Sequence, residues 1–179
     1  GIPTIKYKTK RIQEEWESGN VNMNLVKIVE LALRYIAIEC PEYKAVTLTD
    51  VLRFQDEQDR IYMNHKNLKI REKYKKKPWP SVHMYWRGVD LRTSDMPEKL
   101  VANLTKLLNL ITYDSKRPRK RTAIYHDVGT GAHLHIIDTD TNILTAMPYV
   151  PGIFDAGPTY TSRTRLSFTS NRDGNTSTV

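Results

Sequence analysis

The chain reads as an α+β domain, a small antiparallel sheet packed with helices on one face. Three patterns point that way. Apolar residues recur at helical spacing over 22–39 and again over 96–110. Short runs of strand-forming residues lie between and after these helices. Two such runs, 122–126 and 132–137, flank the turn Gly129-Thr130-Gly131 and read as a hairpin. Strands alternating with helices and then a hairpin describe an α+β sheet. With 179 residues the chain is the size of one domain and can bury a core without disulfide staples.

Taken in order, residues 1–20 are polar and charged and read as an N-terminal arm. Leu25, Ile28, Val29, Ala32 and Ile36 then form one apolar stripe, with Asn22 or Asn24 as cap and Pro41 as terminator. Ala45 to Thr49 reads as a strand and Phe54 to Asn64 as a helix charged on one side. A basic run from Lys66 to Lys77 reads as a helix turning into a loop, closed by Pro78-Trp79-Pro80. Val82 to Tyr85 and Gly88 to Leu91 look extended. Met96 to Leu110 is amphipathic, with Leu100, Leu104, Leu107 and Leu108 inward and Pro97 in its first turn. A second basic loop spans Lys116 to Arg121. From Pro148 to Val179, Pro, Gly, Ser, Thr and Asn dominate, as in an extended or disordered tail. The expected division is therefore an arm over 1–20, a domain over 21–147 and a tail over 148–179.

Composition narrows the function classes. No apolar stretch is long enough to span a bilayer, and the first residues lack the pattern of a signal peptide, so no membrane insertion is expected. Synthesis in the cytoplasm is the corresponding expectation. The single cysteine, Cys40, permits no internal disulfide and reads as a small buried hydrophobe. A net charge of +8 draws the chain to polyanions, whether nucleic acid, anionic lipid or an acidic cell wall.

The chemistry lies in the histidines. In His133-Leu134-His135-Ile136, strand alternation puts both imidazoles on one face and Leu134 and Ile136 on the other. Paired imidazoles on a polar face suit zinc, for which neutral imidazole nitrogen is a good donor. A turn at Arg87-Gly88 would bring His83 and Asp90 toward one point. With His135 they make three protein ligands and leave a fourth position for water, as catalytic zinc requires. His65 reads as a surface residue, and His126 lacks such a context.

The stretch Ser81-Val82-His83-Met84-Tyr85-Trp86-Arg87-Gly88-Val89-Asp90-Leu91 resembles the first zinc motif of the superfamily that joins the D-alanyl-D-alanine carboxypeptidases to the Hedgehog signalling domain. Arg92-Thr93-Ser94-Asp95 continues it in the Hedgehog manner, and Ala132-His133-Leu134-His135 resembles the closing His-x-His. Val46 to Arg53, with Gln58 and Tyr62, is similar to the strand that carries a substrate-binding arginine in these peptidases. The resemblance covers roughly residues 21–140. It implies a Hedgehog/DD-peptidase-like fold, Zn2+ on His83, Asp90 and His135, and substrate contact by Arg53. It implies a zinc metallopeptidase, a D,D-carboxypeptidase or endopeptidase cleaving peptidoglycan peptides as a bacteriophage cell-wall hydrolase.

One departure bears on catalysis. Members usually place an acid a few residues before the last ligand, as general base. Here the positions three and six before His135 are Ala132 and Gly129; the nearest preceding acid is Asp127, eight before, while Asp138, three beyond, falls on the opposite strand face. Asp127 is therefore the expected base, with His133 as transition-state stabiliser or proton carrier. The bulky Trp86 also stands where these peptidases tend to have a small residue. The alternative expectation is a virion-associated structural or assembly protein that keeps the fold without the chemistry, its arm and tail ordered by other virion subunits. A nucleic-acid binder, motivated by two basic runs near Tyr74 and Trp79, ranks last because no standard nucleic-acid motif is present.

Overall fold

The computed structural model describes residues 1–127 and 131–138, with two short strands further on, Ser167–Thr169 and Thr176–Thr178, that pair antiparallel. The remainder of the expected tail over 148–179 lies outside the described residues.

The elements run β1 (Thr4–Tyr7), α1 (Lys10–Glu17), α2 (Met23–Glu39), β2 (Ala45–Asp50), α3 (Gln55–Met63) and α4 (Leu68–Lys76). A 3-10 turn (Val82–Tyr85), β3 (Gly88–Arg92), α5 (Glu98–Ile111), β4 (Ala123–Asp127) and β5 (Ala132–Ile137) follow. The α+β class is borne out. The main sheet is mixed, however, with order β1-β2-β3-β5-β4: β1 runs parallel to β2, and the other pairs are antiparallel. The expectation of a purely antiparallel sheet is corrected by β1, a strand the sequence reading did not contain. No helix among the described residues is long and apolar enough to cross a membrane.

The same strand and α1 correct the expectation of an arm over 1–20. Thr9 caps α1 by accepting the Ile12 N–H at 3.3 Å, and Ile12 and Trp16, four residues apart on one helical face, are buried in the core. Glu15 is fully buried between them. It accepts the Leu52 N–H at 3.2 Å and pairs with Arg11 at 3.3 Å, so a charged residue joins α1 to the end of β2.

The core lies on one face of the sheet. Leu25, Ile28, Val29, Ala32, Leu33 and Ile36 of α2 and Leu100, Val101, Leu104 and Leu108 of α5 are buried with Val46, Leu48, Val89, Leu91, Leu134 and Ile136 of the strands. Cys40 joins them as expected. α3 and α4 pack against each other around Tyr62, Tyr74 and Trp79, whose rings lie 4.8–5.1 Å apart. His65, expected at the surface, is buried; it stacks on Tyr62, and its Nδ1 accepts the Asn67 N–H at 3.0 Å.

Val82–Tyr85 is not extended. It closes as a 3-10 turn because Ser81 caps it, its Oγ accepting the His83 N–H at 3.3 Å. Trp86 then reverses the chain with φ +61°, a left-handed conformation uncommon outside glycine. Two backbone bonds hold this reversal: Trp86 O accepts the Asn22 N–H at 2.9 Å, and Val82 O accepts the Arg87 N–H at 3.1 Å. The reversal turns His83 and Asp90 toward one another, one residue earlier than the Arg87-Gly88 turn expected.

Candidate metal centre

Register assembles the site on the sheet face opposite the core. β3 pairs with β5 so that Asp90 lies opposite His135 and Arg92 opposite His133, and β4 pairs with β5 so that His126 lies opposite His133. Directly opposed residues share a face, and alternate residues on one strand do too. Asp90, Arg92, His126, His133 and His135 therefore share one polar face, while Val89, Leu91, Leu134 and Ile136 point into the core. On β2 a bulge between Leu48 and Asp50 shifts the register and sets Asp50 opposite Asp90.

The three expected ligands do meet. His83, Asp90 and His135 each offer a donor atom within 4.8 Å of the others, so the cluster can hold a metal ion. Asp90 is the hub: Oδ1 lies 3.1 Å from His83 Nε2 and 2.8 Å from His135 Nδ1, and Oδ2 lies 3.4 Å from His133 Nε2. Four tetrahedral donors around zinc stand about 3.3 Å apart for metal–ligand bonds of about 2.0–2.1 Å, close to these separations.

Tautomers sharpen the picture. His83 Nδ1 lies 2.8 Å from the Val51 carbonyl, which can only accept, so this nitrogen carries the proton. In neutral His83 the Nε2 lone pair then faces a carboxylate oxygen. Two acceptors in contact need a proton or a cation between them. The same holds for His133, whose Nδ1–H donates to Gly131 O at 3.0 Å and leaves Nε2 toward Asp90. A backbone carbonyl orienting an imidazole in this way is the usual support of a metal ligand.

Without metal the protons adjust. Burial pushes the Asp90 carboxyl up, but the charge of His83 and the hydrogen bonds from His135 and His83 outweigh it and hold it well below the usual range. Burial pulls His83 down, yet Asp90 and Asp50 raise it above the ordinary histidine value. His135 is lowered, chiefly by burial. His126 falls to about 4, through burial and then the neighbouring charges of His135 and His133.

The His126 shift gives a pH dependence. Its folded value is depressed relative to the unfolded one of about 6.5, so the stability it carries is present above about 6.5 and lost as pH falls toward 4. Urea titrations of the metal-free protein at pH 7 and pH 4.5 should show a smaller acid loss in His126→Gln than in the parent. Equal losses in both would remove this account.

The remaining expected residues divide. Arg53 lies beside the cluster, buried, with Asp50 on its Nε (3.3 Å) and Nη2 (2.8 Å) and Gln58 (2.8 Å) and Ser81 (3.4 Å) on its Nη1. His133 faces Asp90. Asp127 is elsewhere: strand alternation turns it away from His126 and His133, and its carboxylate meets Lys66 Nζ at 3.4 Å and the Gly131 N–H at 3.1 Å. Two residues of the site were not singled out from the sequence. Asp50 Oδ2 lies 4.0 Å from His83 Nε2, and the His126 ring lies 4.8 Å from that of His133 and 5.3 Å from that of His135. Both arrive by cross-strand pairing, which local spacing does not reveal.

Gly88 sets the approach of the two ligand segments. A Cβ there would lie 2.6 Å from Val82 Cγ2, 3.3 Å from the His83 N and 3.4 Å from its Nδ1. Val82 is β-branched and stiff, so the turn rather than the side chain must shift. Gly88→Ala should cost about 1–3 kcal/mol by overpacking and weaken metal binding as well. Chemical denaturation and metal titration measure the two effects; a variant as stable and as tight-binding as the parent would contradict this packing.

A cleft of about 500 Å³ opens beside the cluster, lined among others by Asp50, Arg53, Asp90 and His133 and by Lys8, Arg92 and Ser94. Comparison with protein-family models, with curated proteins and with solved structures finds no match for this chain. The site is therefore read from its own residues.

Proposed function

We propose that this chain is a zinc-dependent peptidase, with His83, Asp90 and His135 as ligands and a peptide of peptidoglycan as substrate. One observation carries the metal: His83 Nδ1–H donates to the Val51 carbonyl, so in the neutral ring the Nε2 lone pair faces the Asp90 carboxylate. Two imidazoles, one carboxylate and an adjoining cleft match the donor set and open position of catalytic zinc. The substrate class, the Hedgehog/DD-peptidase-like fold and the bacteriophage setting are supported by the resemblance of the Ser81–Leu91 and Ala132–His135 motifs.

Zinc held by His83, Asp90 and His135 would supply a Lewis acid and lower the pKa of a coordinated water toward about 7. The chain's own groups do the rest. Hydrolysis forms a C–O bond from water to the peptide carbonyl, breaks the C–N bond and sends a proton to the leaving amine. His133, tied at Nδ1 to Gly131 and facing Asp90 Oδ2 through Nε2 on the cleft wall, carries that proton. Asp50, oriented by Arg53, adds a carboxylate at the mouth of the cluster. Asp127, held at the hairpin end, would need to leave Lys66 and Gly131 to act as base.

That position of Asp127 favours a second reading, a virion structural or assembly protein that retains the metal and not the catalysis. Digestion of purified peptidoglycan by zinc-loaded protein, followed by mass spectrometry of the released peptides, separates the two. New amines and carboxylates with the parent, and none with His135→Ala, support the peptidase. Stoichiometric zinc with no cleavage supports the second reading.

A further inference from the structure

We propose that Lys8 and Arg92 form an anion subsite beside the metal centre, which holds a free carboxylate of the ligand. The substrate identity rests on the peptidase reading above; the subsite itself does not.

Arg53 is the expected substrate contact, but Asp50, Gln58 and Ser81 occupy its guanidinium fork, and the Asp50 ion pair at 2.8 Å neutralises it. Asp90 is likewise engaged by three imidazoles. The cations left on the cleft wall are Lys8 and Arg92, and neither forms an ion pair among the described residues. An unneutralised pair of cations in a concave site raises the local concentration of anions.

Their positions are fixed by backbone rather than by chance of side-chain reach. The Lys8 N–H donates to Leu48 O at 2.9 Å, which extends the β1–β2 pairing by one residue and brings Lys8 alongside Thr49 and Asp50. Arg92 stands opposite His133 across the β3–β5 pair, two residue pairs along from Asp90–His135 and on the same face. Ser94 adds a hydroxyl on the same wall. Arginine matches a carboxylate through its planar fork, and lysine adds a mobile point charge at the rim. A carboxylate held there shares the cleft with His133 and Asp90, so on the peptidase reading the bond cut lies near a free chain end. Lys8 follows directly on β1, a strand that the sequence alone presents as part of a polar arm.

The test measures binding directly. An N-acetylated dialanine with a free C-terminus and the same dipeptide as its C-terminal amide are titrated calorimetrically into metal-free and zinc-loaded protein. The free acid should bind about tenfold more tightly than the amide. Lys8→Gln and Arg92→Gln should each reduce that preference several-fold, and Lys8→Glu should reverse it, with zinc content per chain unchanged. Equal binding of acid and amide, or a preference that survives in the double variant, overturns the subsite. A phosphate monoester bound more tightly than the free acid overturns its assignment to carboxylate. Preference for the acid in a protein that takes up no zinc upholds the subsite and counts against the peptidase reading alone, so the two fail separately.

Discussion

Zinc added to metal-free protein should raise its melting temperature by roughly 5–11 °C when free metal stands at about a hundred times the dissociation constant. At that ratio a ligand that binds only the folded state contributes about 2.7 kcal/mol. Each kcal/mol moves the transition of a domain of this size by about 2–4 °C. The assumption that only the folded state binds is reasonable here, because the donors come from the 3-10 turn, β3 and β5 and meet only through sheet pairing. His83→Ala should abolish the shift and bring zinc per chain from near one to near zero. Since His83 is fully buried, the truncation also leaves a cavity and lowers the starting temperature. His135→Gln, at a less enclosed ligand, guards against mistaking misfolding for lost binding. Calorimetric melts with elemental analysis read both quantities. A parent protein whose transition ignores zinc and whose purified form holds none would remove the metal centre.

Leu134→Ala should be the most damaging single change outside the centre, at about 2–5 kcal/mol, or a fall of several to twenty degrees in melting temperature. Leu134 is fully buried between two members of the polar face, His133 and His135, and its own side chain packs into the core. Removing three carbons there costs transfer energy and leaves a void that the surrounding sheet and helices cannot close completely. The donors stay in register, because backbone pairing with β3 rather than the Leu134 side chain sets the position of His135. Folded Leu134→Ala protein should therefore bind zinc with little loss. A variant that melts within a degree of the parent would show that the core is not built on this strand.

Much of this arrangement was legible in the sequence, for identifiable reasons. The helices over Met23–Glu39 and Glu98–Ile111 carry clear apolar stripes, and the hairpin strands alternate cleanly. The three donors could be named because a His seven residues before an Asp, with a turn between, and a His-x-His strand are local patterns. What escaped was set by distant partners. Ile12 and Trp16 are two apolar residues in a charged helix, and only the β2 end and the core show that they are buried. Val82–Tyr85 reads as a strand from its composition, but the Ser81 cap and the left-handed Trp86 wind it. Asp50 and His126 reach the site through register, and Asp127 is turned from it by the same alternation.

The bond from the Asn22 N–H to Trp86 O has a kinetic consequence. Asn22 also caps α2, its side chain accepting the Asn24 and Leu25 N–H groups, so the reversal that aims His83 at Asp90 is braced by the start of a helix far back in the chain. Such long-range closure comes late in assembly, since its entropy must be met before its contacts form. On the proposed metal reading, an ion would be captured by an already organised scaffold, and zinc should slow unfolding while leaving the folding rate unchanged, as stopped-flow kinetics with and without zinc would measure.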